Sequence, residues 1–374
     1  MNSSGRLCIF YMVHHSIRGT FVTTPLTPRE RWRAIFAGEK PDRIPTDYWA
    51  TDEVTARLFA ELGCRDIEEL YTRLHVDGLI VVDPPRRDDH RAGDPGADLW
   101  GLRRKLIRYG AGEYDEFANH PLAALSTIGE LDAYPWPKAE DHDYEAFCRM
   151  LRAVPPHRMI RSGNYEPFLI YAGLRGLEQA LVDLVENPEF TEAALAHMFR
   201  YYFELARRTF EAGKGRIGVT YIAEDLGGQT SLLMSRAQIR KFLLPNQKKM
   251  ADLARSYGIH IFYHTDGAVR GVIPDLLDIT GIELLNPIQW RCPGMEREGL
   301  VRDFGDRLVF HGAMDNQQTM PFGTSADVAR EVLENIEIFR GARWVCAPCH
   351  NLQPVTPTAN ILALYDTIYA HGAL

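Results

Sequence analysis

The sequence predicts an α/β protein built as a single (β/α)8 TIM barrel, and three observations carry that expectation. Eight short runs rich in β-forming residues follow an opening helix, helical patterns separate most of them, and several runs are apolar throughout rather than alternating. Strands buried on both faces read this way when helices cover a parallel sheet. Eight is also the number of strands that closes such a sheet into a barrel.

The opening helix is expected at Thr27-Pro28-Arg29-Glu30, where Thr27 offers an N-cap, Pro28 suits the first turn and Glu30 meets the positive end of the helix dipole. Gly38 ends it. The strand candidates are Ile44 to Ala50, Val76 to Asp83, Met159 to Ser162, Ile217 to Ala223, Ile259 to Tyr263, Ile282 to Leu285, Leu308 to Met314 and Ala342 to Ala347. Ser235 to Tyr257 carries Ile239, Phe242, Leu243 and Leu253 at helical spacings, with Pro245 expected to kink or divide the helix. Ala268 to Ile279 and Ser325 to Arg340 show similar stripes, the second led by Thr324-Ser325 and ended by Gly341.

About seventy residues separate the second and third strand candidates, too many for a structureless loop inside a compact domain. An insertion at about 84–157 is therefore expected, a hairpin and helix over the barrel mouth, with a lid and simple structural padding as equal readings. Residues 1–24 read as a flexible extension ahead of a barrel spanning 25–374, and Met12 is an alternative start.

A chain of 374 residues, 45% hydrophobic and 25% charged, is composed as a globular protein with a large core. A net charge of -8 argues against a nucleic-acid surface or a polybasic membrane anchor, which leaves a small molecule as the expected substrate. No apolar stretch approaches the roughly 20 residues that span a bilayer. Six scattered cysteines fit a reducing cytoplasm better than a disulfide scaffold. Cys346 and Cys349 have CxxC spacing, but no second pair completes a zinc knot, so partly buried thiols are the plain reading.

If the barrel forms, its active site lies at the C-terminal ends of the strands. Reading off those ends gives Tyr48 and Trp49, Asp83, Asn164 and Tyr165, Glu224 and Asp225, His264 and Asp266, Asn286 and Gln289, Asp315, and His350. Carboxylates and imidazoles dominate this ring, as expected of an enzyme. In His264-Thr265-Asp266 the two polar side chains share one face of an extended strand, which makes a two-ligand metal half-site or a proton-transfer pair.

His264, Asp266 and His350 could together bind a catalytic divalent metal, zinc or another transition ion, with Glu224 or water in the open position and Cys349 as a substitute ligand. Without a metal, His264 and His350 act as general acid and base, with Asp266 and Asp225 setting tautomer and pKa. Only one of Glu224 and Asp225 is expected to reach the centre, the other capping a loop, and Gly227-Gly228 reads as a flexible turn. His260 reads as a lower-layer core residue, and Arg175 as a surface ion pair or a carboxylate grip. Neither Gly227-Gly228 nor Gly110-Ala111-Gly112 forms a dinucleotide or phosphate fingerprint, so no nucleotide cofactor is expected; nor is there a GxSxG elbow or an HExxH helix.

Several segments in order resemble the uroporphyrinogen decarboxylase superfamily. They are Thr27-Pro28-Arg29-Glu30-Arg31 running to Gly38-Glu39-Lys40-Pro41-Asp42-Arg43-Ile44-Pro45, then Asp98-Leu99-Trp100-Gly101, Gly112-Glu113-Tyr114 and Glu224-Asp225-Leu226-Gly227. Asn286-Pro287-Ile288-Gln289 and Pro348-Cys349-His350-Asn351-Leu352-Gln353-Pro354, followed by Pro357 and Asn360, complete the set. The resemblance implies a (β/α)8 barrel and one of two chemistries. The decarboxylases remove acetate carboxyls from a tetrapyrrole without a cofactor; their methyltransferase relatives move methyl groups between corrinoid proteins and thiols activated on zinc.

This chain departs from both patterns. An arginine-rich segment grips substrate carboxylates after the first strand of the decarboxylases, whereas this position reads Tyr48-Trp49-Ala50-Thr51-Asp52. The methyltransferases have HxC where this chain has His264-Thr265-Asp266, and a later cysteine near the place of His350. A harder ligand set suggests a different metal or a harder substrate. The leading expectation is metal-assisted methyl transfer to or demethylation of a small molecule, with Glu224 or Asp225 as acid or base and a possible corrinoid protein partner. The alternatives are a metal-independent decarboxylase, in which Asp225 and His350 act on uroporphyrinogen or another carboxylated substrate, and a non-catalytic tetrapyrrole- or corrinoid-binding protein. A homodimer is a further possibility.

Overall fold

The helix Pro28–Ala37 forms where its capping signals place it. Thr27 Oγ1 accepts from the Glu30 backbone N–H at 3.3 Å, and the Glu30 carboxylate accepts the Thr27 N–H at 2.7 Å, a reciprocal capping box. Gly38, at φ +75°, ends the helix in the left-handed region, where a Cβ is disfavoured. The structure, a computed structural model, describes residues 25–88, 94, 96–109 and 112–374, with backbone alone at 109 and 112–114. The extension expected at 1–24 lies outside the described residues.

The strands are β1 (Ile80–Val81), β2 (Arg104–Tyr109), β3 (Gly112–Phe117), β4 (Ile160–Tyr165), β5 (Ile217–Ala223), β6 (His260–His264), β7 (Leu284–Asn286), β8 (Val309–Met314) and β9 (Arg343–Pro348). Seven of them form one parallel sheet in the order β1-β4-β5-β6-β7-β8-β9, while β2 and β3 pair as an antiparallel hairpin. Sequential parallel neighbours require crossovers, and helices supply them. Pro188–Gly213 precedes β5, Leu244–Ser256 precedes β6, Arg297–Phe304 precedes β8 and Ser325–Ile338 precedes β9.

The first strand candidate is corrected. Ile44 to Ala50 makes isolated parallel bridges, Thr46 to Cys346 and Ala50 to Leu352, rather than a regular strand. Backbone hydrogen bonds still tie it on both sides: Asp47 N–H to Cys346 O at 3.0 Å, and the N–H groups of Asp77 and Gly78 to Thr46 O at 3.1 Å. The second candidate, Val76 to Asp83, shrinks to the two residues of β1. Both segments carry buried polar side chains, Thr46, Asp47 and Asp77, that bond to neighbouring backbone N–H groups and so replace rungs of a regular ladder.

Two cores sandwich the sheet. Within its curl, Leu79, Met159, Val219, Phe262, Leu284, Val309 and Val345 pack against Trp32, Ile35 and Phe36, so the opening helix plugs the N-terminal end of the strands. His260 belongs to this lower layer, stacked on Phe36 with ring centroids 4.4 Å apart. The larger core lies between the other face of the strands and the covering helices. Burial of both faces is the physical reason these strands read as continuous apolar runs.

Pro245 divides its helix. Five residues of π-helix, Ile239–Leu243, precede Leu244–Ser256, with Pro245 in the first turn, where no intrahelical N–H is required. The interval from 84 to 157 holds the β2–β3 hairpin and the helices Ile128–Ala133 and Tyr144–Ala153. Trp100 from this interval packs edge-on to Tyr201 of the helix Pro188–Gly213, at 5.2 Å between centroids.

Candidate functional site

Register decides which side chains meet at the C-terminal ends of the strands. Ala223 pairs with His264 across β5 and β6, and His264 pairs with Asn286 across β6 and β7. Leu285 pairs with Phe310 across β7 and β8, so the next rung sets Asn286 beside His311. The result is a directional chain of hydrogen bonds. His264 Nδ1 donates to Asn286 Oδ1 at 2.6 Å, Asn286 Nδ2 donates to His311 Nδ1 at 2.7 Å, and His311 Nε2 donates to Asp47 Oδ2 at 3.0 Å.

Each step fixes the next, because an amide oxygen only accepts and an amide nitrogen only donates. His264 therefore carries its proton on Nδ1 and presents the Nε2 lone pair outward. Burial holds His311 below the usual imidazole range, against the pull of Asp47, in keeping with one proton on that ring. Trp49 and Tyr221 stack on the His264 ring, at 5.8 and 5.5 Å between centroids, and lock its plane.

The His264 lone pair faces two carboxylates. Asp225 Oδ1 lies 3.8 Å and Asp266 Oδ1 4.0 Å from Nε2, and one ligand atom from each of the three residues lies within 4.8 Å of the others. The glycines build this approach. A Cβ on Gly227 would meet Asp266 O at 2.6 Å, and one on Gly267 would meet Gly228 O at 2.4 Å. Gly227-Gly228 is thus a site of close backbone contact, corrected from the flexible turn expected of it. The Asp266 N–H reaches Asp225 Oδ1 at 3.3 Å, and the Gly267 N–H donates to Gln289 Oε1 at 2.6 Å.

Asp266 Oδ1 is buried and has no hydrogen-bond partner among the described residues. A buried carboxylate oxygen without a donor is costly unless a cation or proton answers it. Burial and the neighbouring Asp225 charge raise the Asp266 carboxyl, against the pull of His264 and His350. An imidazole lone pair and two converging carboxylates fit a divalent cation by donor type and charge. His350 stands outside the trio, half-exposed, with Nε2 3.9 Å from Asp266 Oδ2. Of the expected set, His264 and Asp266 come together with Asp225, and His350 flanks them.

Glu224 is turned away from the cluster. Its carboxylate accepts the N–H groups of Phe168 and Leu169 at 2.8 and 2.9 Å, anchoring the start of the helix Pro167–Arg175. Glu166, absent from the sequence-based set, lines the same cavity as Trp49 and Tyr221. Its carboxyl is pushed up to about 7, first by burial and then by the charges of Asp225 and Asp266. This is a range in which a carboxyl both holds and releases a proton near neutrality.

A cavity of about 560 Å³ opens beside the trio, lined by Tyr48, Trp49, Asp83, Asn164, Arg161 and Glu166 among others. Tyr165 instead lines a neighbouring cavity of about 290 Å³. Asn286 and Gln289 hold the framework of the site rather than the cavity wall. Asp315 is buried, bonds to Arg291 Nε at 2.6 Å and accepts the N–H groups of Gln317, Gln318 and Thr319. Cys349 is buried, its thiol donates to Ile288 O at 3.1 Å, and burial raises it and Cys346 alike. Arg175 is corrected to a buried ion pair with Asp183 at 2.7 Å, supported by the carbonyls of Leu122 and Leu125.

Asp47, Arg161, Glu166 and His311 went unread in the sequence. His311 sits inside an otherwise apolar run, and a polar residue that must be buried mid-strand signals a partner, whereas Arg161 is followed by Ser162, Gly163 and Asn164 and carries no such signal. Glu166 follows a strand end directly and precedes the helix-starting Pro167, so the reading of that end stopped one residue short.

In comparisons with solved structures, a methyltransferase from Methanosarcina mazei is similar at 20% identity, with a TM-score of 0.66 over 92% of this chain and 99% of that one. A B12-independent methionine synthase from Shewanella sp. W3-18-1 aligns at 10% identity over 88% of this chain and 97% of the other, with a TM-score of 0.47. No curated protein matches the sequence. The sequence model described as uroporphyrinogen decarboxylase (URO-D) matches residues 108–371, a span holding six of the seven parallel strands and Asp225, His264 and Asp266. With that match over most of its length, and strands in the order the motifs implied, the chain belongs to the uroporphyrinogen decarboxylase family.

Proposed function

We propose that this protein is a metal-assisted methyltransferase or demethylase of a small molecule, with its centre at Asp225, His264 and Asp266. The observation that carries this reading is the pairing of a tautomer-fixed His264 lone pair with the orphaned, buried Asp266 Oδ1. When bound, a divalent cation there would supply Lewis-acid stabilisation of negative charge on a leaving or attacking atom. The likeness to the Methanosarcina methyltransferase is a likeness of fold and is compatible with this chemistry.

The protein's own groups have distinct tasks in this reading. Asp225, His264 and Asp266 hold the cation. The relay through Asn286 and His311 to Asp47 keeps the His264 ring in its binding tautomer. Glu166 delivers a proton to the oxygen that loses its methyl group, and His350 stands at the rim beside Asp266. The methyl carbon's bond to that oxygen breaks as its bond to an acceptor nucleophile forms, and a corrinoid protein is the acceptor we propose. The ligand set is harder than a thiolate site, which favours an oxygen-bound methyl over a thiol.

The same reading takes the segment 44–50 as the eighth stave of a (β/α)8 barrel, supported by its bridges to Cys346 and Leu352. It also takes the interval 84–157 as a cover over the mouth, supported by Asp98, Leu99 and Trp100 lining the neighbouring cavity. Metal-independent decarboxylation is the second reading, favoured by the Glu166 carboxyl near 7 as a ready proton donor to a carbanion. Chelated protein separates the two. Methyl loss from a methoxylated substrate in the presence of a reduced corrinoid protein should vanish on chelation and return with added metal, whereas decarboxylation of uroporphyrinogen by metal-free protein would favour the second reading.

A further inference from the structure

One wall of the cavity beside the acidic trio holds an arginine with no counterion among the described residues. Arg161, on β4, places its guanidinium 4.6 Å from the Tyr221 ring centroid, 5.8 Å from that of Trp49 and 5.9 Å from that of Phe262. Its Nε is buried without a hydrogen-bond partner, and no carboxylate among the described residues pairs with it within 4.0 Å. Ring faces offset part of a guanidinium's charge, but they leave its in-plane N–H donors unmet. This isolation is unusual here, because Asp47, Asp52, Asp83 and Glu166 line the same cavity and Arg161 is its one lining cation among the described residues.

We propose that Arg161 is the carboxylate-binding residue of the substrate site and that the substrate is an aromatic carboxylic acid. The inference deepens the function proposed above and rests on it for placing the reaction at this mouth. A planar carboxylate matches the paired N–H donors of a guanidinium, and the bidentate contact is charge-assisted. A phosphate is a poorer fit. No second cation lines the cavity, four carboxylates would repel a dianion, and the nearby helix start at Pro167 is already capped by Glu224.

Distance from the trio follows from the rings. Trp49 and Tyr221, which hold Arg161, are the same two rings that stack on His264. A carboxylate on Arg161 therefore sits across one layer of aromatic rings from the His264 side chain. The body of the substrate has an apolar place to lie. The neighbouring cavity shares Asp83, Asn164 and Tyr221 with the first and is lined also by Leu99, Trp100, Tyr201 and Tyr202. Aromatic walls of this kind accept a flat ring.

Calorimetric titration of chelated full-length protein with benzoate and with benzamide, its neutral counterpart, tests the inference independently of any metal. Benzoate should bind about tenfold or more tighter than benzamide. Arg161→Met should abolish that preference to within about twofold with an unchanged melting temperature, and Arg161→Lys should retain part of it. Equal affinity for the two ligands, no benzoate binding at millimolar concentrations, or a benzoate affinity unaffected by Arg161→Met would each overturn it. Failure of the metal reading would appear instead as a lack of bound metal, with this carboxylate preference intact.

Discussion

Asn286 Oδ1 accepts the Nδ1 proton of His264 at 2.6 Å, and this single contact determines which nitrogen of the imidazole faces Asp225 and Asp266. Asn286 is itself oriented by His311, which is oriented by Asp47. A metal-ligating histidine needs such a partner to hold its tautomer and ring plane.

Asn286→Ala should therefore weaken divalent metal binding by about 10–100-fold while leaving all three ligand side chains in place. Asn286→Asp should also weaken it, because a carboxylate offers His311 Nδ1 an acceptor where it needs a donor. Competition with a fluorescent chelator measures both. Unchanged affinity in the two variants would show that the relay has no bearing on metal.

Adjacent acids with different tasks make a second test. Glu224→Ala leaves the N–H groups of Phe168 and Leu169 unmet, which should cost about 2–4 kcal/mol in chemical denaturation, with metal content preserved in the folded fraction. Asp225→Asn should do the reverse: small loss of stability and loss of metal. Metal retained by Asp225→Asn and lost by Glu224→Ala would exchange the roles assigned here.

Glu166 predicts a pH dependence of the metal-free protein. Its carboxyl rises from the ordinary 4.5 to about 7, so the folded state holds a proton that the unfolded chain has already released. That stabilising contribution is fully present below about 4.5 and is lost as the pH rises through about 7. Glu166→Gln cannot ionise, so it should gain on the wild type across that window by up to about 3 kcal/mol, and by little at pH 4. Denaturation at pH 4, 6 and 8 checks it. A difference that stays flat with pH would remove Glu166 from the set of acid–base groups.

Much of the fold was legible because local signals and tertiary placement agree. The N-cap at Thr27, the helix stop at Gly38 and the division at Pro245 are local chemistry, and the structure keeps all three. Near-continuous apolar runs located β5 to β9 because both faces are largely buried, whereas β4, Ile160–Tyr165, is mostly polar. The segment from Ile44 to Ala50 is irregular for a reason that periodicity does not carry: Asp47 gives its carboxylate to the Leu79 N–H group and to His311, contacts made across the chain.

The site was legible in part for the same reason. His264 and Asp266 stand together in sequence, and Asp225 was already in view. His350 follows a strand far along the chain, and its half-exposed position at the rim, with Nε2 3.9 Å from Asp266 Oδ2, depends on how the loop after that strand turns. Arg161 and Glu166 take their character from surroundings that lie on other strands: aromatic rings around one, two carboxylates beside the other. No spacing within the chain encodes that.

Elemental analysis of protein purified without chelator, alongside His264→Ala and Asp266→Asn, tests the central claim most directly. The account predicts about one equivalent of a divalent transition metal per chain in the wild type, lost from both variants while their melting in chelator stays close to the wild type's. Wild-type protein that takes up no divalent metal even when it is supplied, or variants that retain a full equivalent, would contradict a metal centre at Asp225, His264 and Asp266.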